Sequence, residues 1–507
     1  MNDDLDKAEA IAIKDGEIVE VGPERQILNK YTADKTINAE QKDVFPGIHD
    51  AHGHIMSLAK QRQNVDLRGV TSYDQMIREI EKHIAKNDQP IIQGRGWDQS
   101  LWGQESLPNH KKLSEAFPET PVALTRIDGH AMLVNEAMME YANINDTLEI
   151  EGGVINLEKG ILLDFALDYV NDQLPEPTKE DLKESIVEIQ EELLAFGITH
   201  VHEAGLHREQ LKLFQELADE DKLKINVYAM IFPTEENFEF AEKEGFYKNG
   251  KLSVRSFKII VDGSLGSHGA CMIEPYSDSA TYGIMLRKPG EVQNVFKRVK
   301  SLGYQLNSHC IGDSANRVVL RTIDTLMKDI PDHRWRIEHA QVIHPNDFEL
   351  FESSRALPSV QPTHATTDQR WAEHHIGHDR LHKGGYSYNT LRKKAGMIMF
   401  GTDFPVEDFD PFATLYAATK RKNTNNEPKE GFLPAQKVDY SVALKAMTLW
   451  ASFGCFEEGQ LGTLEKGKQA TLTILDQPIE LENDFAPNYA VLTLIDGEAV
   501  YDINLEW

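Results

Sequence analysis

Apolar and polar positions alternate with a period of two at both ends of the chain. Near the start, AIAIKDGEIVEVG alternates around Asp15-Gly16, the pattern of a β-hairpin closed by a tight turn. Near the end, QATLTILD and YAVLTLIDGEAVYD repeat the alternation around a second Asp-Gly pair. Short strands at both termini predict one small β-sandwich domain built from residues 1–45 and 455–507. Residues 46–454 then form the main domain.

The main domain shows a different pattern. Short, nearly continuous apolar runs each end in polar residues: DVFPGIHDAHGH, GITHVHEAG, KINVYAMIF, FKIIVDGS, YQLNSHCIGD, WRIEHAQVI, LPSVQPTHA and MIMFGTDFP. Continuous apolar runs suit parallel strands buried on both faces. From the second run onward most are separated by stretches of helical character, such as EVQNVFKRVKSLG and SANRVVLRTIDTLMKD. Eight strands alternating with helices predict a (β/α)8 TIM barrel of the α/β class, with catalytic groups at the C-terminal strand ends. A flat doubly wound sheet is the alternative.

The first and second runs lie about 140 residues apart, far more than one helix needs. The excess predicts a large insertion after the first barrel strand, at about residues 70–175, covering the barrel mouth. Trp97, Asp98, Arg126, Asp128 and His130 fall in its turn-rich parts, where binding residues concentrate. Trp97 and His130 are taken as candidate substrate contacts. Loop packing and helix capping are the alternatives for each.

Composition narrows the function. With 53 basic against 82 acidic residues the formal net charge is -29, which argues against nucleic acid or an anionic membrane as partner. Apolar residues make up 40% of the 507, enough for a large core, and no run is long and apolar enough to span a bilayer. MNDDLDKAEA lacks the basic and apolar regions of a secretory signal, and three widely spaced cysteines fit neither a disulfide framework nor a zinc knuckle. A cytoplasmic protein acting on a small molecule is the expectation, with a homodimer as the default assembly.

The candidate chemistry is metal chemistry. In extended chain, positions two apart face the same side, so His52 and His54 can converge on one point. An HxH pair alone is not diagnostic, and His200-Val201-His202 is another at a strand end. What separates the two pairs is the company of the first: His309 after YQLNS, His339 after WRIE and Asp403 in MIMFGTD, each closing its own run. Neutral imidazoles with a carboxylate are the ligand set of zinc and similar divalent ions. Lys258 sits within the apolar run FKIIVDGS, where an unpaired ammonium is costly; it either snorkels or pairs with an acid, or it points into the barrel mouth with a function. His374, His375, His378 and His382 cluster in RWAEHHIGHDRLHKGGYSYN; a further metal site is conceivable there, but the turn-rich composition favours a solvated loop.

The stretches PGIHDAHGH, GRGWDQSLW, VDGSLGS, RIEHAQ, SVQPTHATTD, GTDFPVEDFDPF and LGTLEKGKQATLTILD resemble the amidohydrolase superfamily, and within it the metal-dependent hydrolases that include the N-substituted formamide deformylases. The resemblance implies that His52 and His54 bind the more buried metal. It implies that His309 and His339 serve a second metal, and that Lys258 can be N6-carboxylated to bridge the two. It further implies that Asp403 both ligates and handles the proton of the attacking water. One or two divalent ions, zinc foremost, are therefore expected per chain. Two features depart from the family's pattern. The family usually has a strand before the stretch matching MNDDLDKAEA, so either the chain is truncated or an edge strand is lost. His268 stands where arginine is more usual.

Three functions remain open. The first is hydrolysis of a non-peptide amide-type C–N bond (N-formyl, N-acyl or cyclic amide) by metal-activated water, with Asp403 as base and then acid, and with His364 or His130 assisting at the carbonyl. The second is mononuclear hydrolytic deamination of an aminated heterocycle. The third is a non-catalytic ligand-binding barrel.

Overall fold

In the computed structural model, the structure is described for residues 6–85, 89–103, 107–126, 131–150, 153–164, 166–479 and 484–503. The chain divides into two compact units, Met1–Ile55 with Val187–Trp507, and Met56–Ile186.

The first unit is built on eight parallel strands, one from each of the eight apolar runs. These are β1 (Ile48–Gly53), β2 (Ile198–Leu206), β3 (Asn226–Ile231), β4 (Leu252–Ile260), β5 (Gln305–Cys310), β6 (Arg336–His339), β7 (Leu357–Val360) and β8 (Met399–Phe400). They pair in chain order from β1 to β8. Beyond the last ladder bond of β8 the seam to β1 is still joined. Asp403 N–H donates to His52 O (2.7 Å), His54 N–H to Phe404 O (2.9 Å), and Thr402 N–H to the Asp50 carboxylate (3.1 Å). A nearly closed barrel of the TIM type results.

Helices fill most of the crossovers, and local sequence sets their ends. Pro289–Leu302 begins on a proline, whose missing N–H costs nothing in a first turn, and stops at Gly303 in the left-handed region (φ 72°). Asp313–Leu326 buries Ala315, Val319, Leu320 and Ile323, the stripe of a 3.6-residue period. The barrel interior is polar where strand side chains face inward. Arg336, two residues before Glu338 and so on the same side of β6, pairs with it at 2.8 Å, and both are fully buried. Its Nη1 also donates to His202 Nδ1 (2.9 Å). A buried charge is tolerated here because it is paired and hydrogen-bonded.

The terminal strands belong to the same unit. Ala10–Lys14 and Glu17–Gly22 form a hairpin around Asp15 and Gly16, both at positive φ. Val44–Pro46, Leu472–Leu475, Ala490–Ile495 and Glu498–Asp502 form a four-stranded antiparallel sheet, its second hairpin turning at Asp496-Gly497. Ile18 N–H to Lys468 O (2.8 Å) and Ala470 N–H to Gly16 O (2.7 Å) tie the hairpin to the C-terminal segment.

The unit Met56–Ile186 carries a six-stranded mixed sheet with helices such as Tyr73–Ile84, whose first turn is capped by Ser72 Oγ accepting from Gln75 N–H. One of its apolar cores contains Val65, Ile92, Trp97, Val122 and Leu133. Among the described residues no helix is long and apolar enough to cross a membrane.

Candidate metal centre

Every metal ligand expected from the sequence comes from the first unit, at or just beyond a strand's C-terminal end. His52 is fully buried in β1; His54 follows it, with a quarter of its side chain exposed. Gly53 between them has a steric reason to be glycine, since a Cβ there would lie 2.3 Å from the ring of Phe404. A Cβ on Gly401 would likewise meet the backbone N of His52 at 2.3 Å, so β8 can approach β1 only without one.

The carboxylate of Asp403 is the hub. Its Oδ1 lies 3.3 Å from His52 Nε2 and 3.1 Å from His54 Nε2, and its Oδ2 lies 3.7 Å from His364 Nε2. Ligand atoms of His52, His339 and Asp403 all fall within 4.8 Å of one another. The His309 ring sits 4.4 Å from that of His339, and Lys258 Nζ is 3.2 Å from His52 Nε2. Strand alternation alone would not bring His339 and Asp403 here. Both stand at positive φ (72° and 63°), where the chain turns sharply at the strand end. Such backbone costs on the order of 1–3 kcal/mol per residue and tends to cluster at functional sites.

The donor set fits a divalent cation. His52 Nδ1 donates to Glu338 Oε2 at 2.5 Å, so in the neutral ring Nε2 presents a lone pair, and that lone pair faces the Asp403 carboxylate. A lone pair and a carboxylate that face each other need positive charge beside them, which Lys258 Nζ at 3.2 Å supplies here and a divalent cation would supply on binding. His339 Nδ1 is likewise committed, donating to Gln361 Oε1 at 2.8 Å. The buried Nε2 atoms of His309 and His364 have no hydrogen-bond partner. Burial pushes the His309 ring down to about 3 and holds His339 well below its ordinary value, so both rings are neutral, the form that ligates. Burial alone would raise Asp403, but the imidazoles around it, His52 and His54 first, hold its carboxyl well below the usual range whenever they carry the proton that a bound cation would displace. Burial lowers the Lys258 ammonium to about 8.

Supporting residues that the sequence reading passed over are Glu338, Gln361 and Asp50. Asp50 accepts from His52 N–H (3.0 Å), Thr402 N–H (3.1 Å) and Thr402 Oγ1 (2.6 Å), tying the end of β1 to that of β8. The signal for Glu338 was present, since opposite charges two apart in a strand share one face.

The candidate substrate contacts fare differently. His364 stands in the helix Pro362–Asp368 after β7, beside Asp403. Trp97 is a packing residue: it is fully buried in the core of the second unit, and its Nε1 donates to Leu124 O at 2.7 Å. It closes a strand rather than lying in a turn, and its polar atom is already satisfied. Arg126 pairs with Asp98 at 3.2 Å. His130 and Asp128 lie outside the described residues.

A model of the amidohydrolase family matches residues 35–501. The chain is 29% identical to Protein LONG AFTER FAR-RED 3 of Arabidopsis thaliana, covering 97% of this chain and 88% of that protein. It is 27% identical to the putative amidohydrolase YtcJ of Bacillus subtilis, over 99% and 97% of the two chains. To the N-substituted formamide deformylase of Arthrobacter pascens it is 22% identical, over 98% and 95%. Among solved structures, an uncharacterized metal-dependent hydrolase of Pyrococcus horikoshii superposes with a TM-score of 0.78 at 28% identity, covering 94% of this chain and 95% of that one.

Proposed function

This chain belongs to the amidohydrolase family, and from that premise we propose that it hydrolyses a non-peptide amide-type C–N bond in a small molecule, with zinc as its metal. The observation that carries the reading is the convergence on Asp403. Imidazoles from β1 and β6 bring ring nitrogens to one carboxylate, His309 from β5 packs against His339 and Lys258 from β4 against His52, and the Nε2 atoms of His309 and His364 have no hydrogen-bond partner.

His52, His54, His309, His339, Lys258 and Asp403 are the residues that would hold one or two ions. When bound, such an ion supplies Lewis acidity, making water nucleophilic at neutral pH and polarising a carbonyl. The remaining work falls to side chains. Asp403, kept ionised by its neighbours, takes a proton from the attacking water on a carboxylate oxygen and returns it to the departing amine nitrogen. His364, 3.7 Å from that carboxylate with its Nε2 unpartnered, is placed to donate to a substrate carbonyl oxygen. Glu338 and Gln361 fix the rings of His52 and His339 so that the remaining nitrogen of each stays aimed inward. Lys258, lowered to about 8, is partly the free amine near neutral pH, the form that can add CO2 and become a carboxylate ligand.

The distant likeness to a formamide deformylase makes N-formyl amines the first substrates to try, followed by N-acyl amino acids and cyclic ureides. Turnover of one of these that is lost on chelation and restored by zinc supports the reading. Metal-replete protein that turns over none of them, yet releases ammonia from aminated heterocycles, overturns it. That second outcome is deamination by a single ion, a reading favoured by the fact that His52, His339 and Asp403 already bring three ligand atoms together without Lys258.

A further inference from the structure

Away from the barrel centre, three more groups of ligand-type side chains occur among the described residues. His49, His202 and Cys455 are buried, but Arg336 can only donate, and it donates to His202 Nδ1. That fixes the ring proton on Nε2 and removes it as a ligand. Glu373, His378 and His382 lie open to solvent across two short helices on either side of Gly377. The third group is different in kind.

His268 and Asp278 come from the long segment after β4, and His375 from the helix Ala372–Ile376 after β7. His268 Nε2 lies 2.9 Å from Asp278 Oδ1, His375 Nδ1 lies 2.6 Å from Asp278 Oδ2, and His374 Nε2 is 3.6 Å from the same oxygen. The two segments are locked in register before any ion arrives. Ser277 N–H donates to His375 O at 2.7 Å, and Arg380 reaches from the next helix to Pro275 O (2.7 Å) and Glu274 O (2.9 Å). The Tyr276 ring packs edge-on against His268 at 4.7 Å, while His268 itself stands at φ 56°. Side-chain exposure of Asp278 and His375 is only 11% and 14%, whereas His374 is 77% exposed.

We propose that His268, Asp278 and His375 form a second divalent-metal site that pins the segment after β4 to the helix Ala372–Ile376. Two imidazoles and one carboxylate are a zinc-type donor set, with a fourth position open to water or to the exposed His374. Tetrahedral ligands about 2.0–2.1 Å from zinc stand roughly 3.3 Å apart, so the two hydrogen-bonded pairs need open by only about half an ångström. The site is independent of the barrel centre, with which it shares no ligand, and its role is to hold the two segments together.

The test is Zn2+ titration of the metal-stripped full chain against a chromophoric chelator, with elemental analysis after desalting. Wild type should take up one equivalent more than D278N or H375Q, and the same difference should appear in a D403N background, where the barrel site is impaired. Zinc should raise the Tm of the D403N chain, and this rise should vanish in D403N/D278N. Circular dichroism of the stripped variants establishes that they are folded; H374A/H375Q, altered only on the helix side, serves if D278N is not. Folded variants that bind as many equivalents as wild type, with undiminished affinity, overturn the site and leave a metal-free His–Asp–His clamp.

Discussion

His52 Nδ1 and Glu338 Oε2 lie 2.5 Å apart with both side chains shielded from solvent, and Arg336 sits 2.8 Å from the other oxygen of the same carboxylate. Burial works to raise Glu338, but Arg336, His52 and Lys258 hold its carboxyl well below the ordinary range. The carboxylate therefore sets the tautomer of His52 and neutralises a buried guanidinium at once. E338Q keeps the shape and loses the charge, and zinc affinity at the barrel site should fall about ten- to a hundredfold. E338A also strands Arg336, and should unfold more easily by roughly 3–5 kcal/mol. Metal titration and denaturant unfolding of the two variants separate these effects.

Gly53 makes a steric prediction. A methyl group there would overlap the Phe404 ring at 2.3 Å, one residue from Asp403 and between the two β1 histidines. G53A should be destabilised by about 1–3 kcal/mol, as overpacked sites are, and should lose metal affinity because the seam carrying His52, His54 and Asp403 must shift. Truncating the obstruction in G53A/F404A should restore metal uptake relative to G53A alone, measured by elemental analysis of both proteins. Equal uptake by G53A and wild type would contradict this packing.

Glu407 carries a pH signature. Burial raises its carboxyl to about 7, with further repulsion from Asp403 and Asp408, while Thr367 Oγ1 donates to it at 2.6 Å. Because the folded pKa lies above the unfolded value, the folded chain holds the proton more tightly between about 4.5 and 7. Stability from this group therefore falls as pH rises through that window and is level above it. E407Q should match wild type near pH 4.5 and gain on it up to about pH 7, by on the order of 2 kcal/mol. Unfolding of chelated protein across that range reads the difference directly; a gap that does not change with pH would refute the assignment.

The sequence displayed the barrel more clearly than the details of its site. Parallel strands buried on both faces must read as unbroken apolar runs, so VFPGI or FKIIV marks a strand without any neighbour's help. His52 and His54 were legible because a strand's period of two puts them on one side. His339 and Asp403 reach the same point only through positive-φ turns that no periodicity encodes. Glu338 and Gln361 look like any buried polar strand residue until the rings they orient are in place. Trp97 misled for the opposite reason. Its turn-rich surroundings suggested a binding loop, whereas Gly96 (φ 112°) lets the strand carry an indole into a core.

On the proposed reading, Lys258 sets how many ions the barrel centre holds. Its Nζ is buried beside His52 Nε2, and burial brings its ammonium down to about 8, so a substantial part of it is free amine at mildly alkaline pH. A free amine in a cluster of ligands is the form that CO2 carboxylates, which would convert a cation that repels metal into an anion that bridges it. Protein expressed with added bicarbonate and purified without chelator should then hold two ions at the barrel centre, counted in the D278N background to exclude the peripheral site. K258A should hold one, and short carboxylic acids such as acetate should restore part of its second equivalent by occupying the vacated position. Amide hydrolysis should fall in K258A by about a hundredfold or more, as when a catalytic electrostatic group is removed. A K258A chain with unchanged metal content and unchanged turnover would instead point to a single ion held by His52, His54, His339 and Asp403, and would favour the deaminase reading.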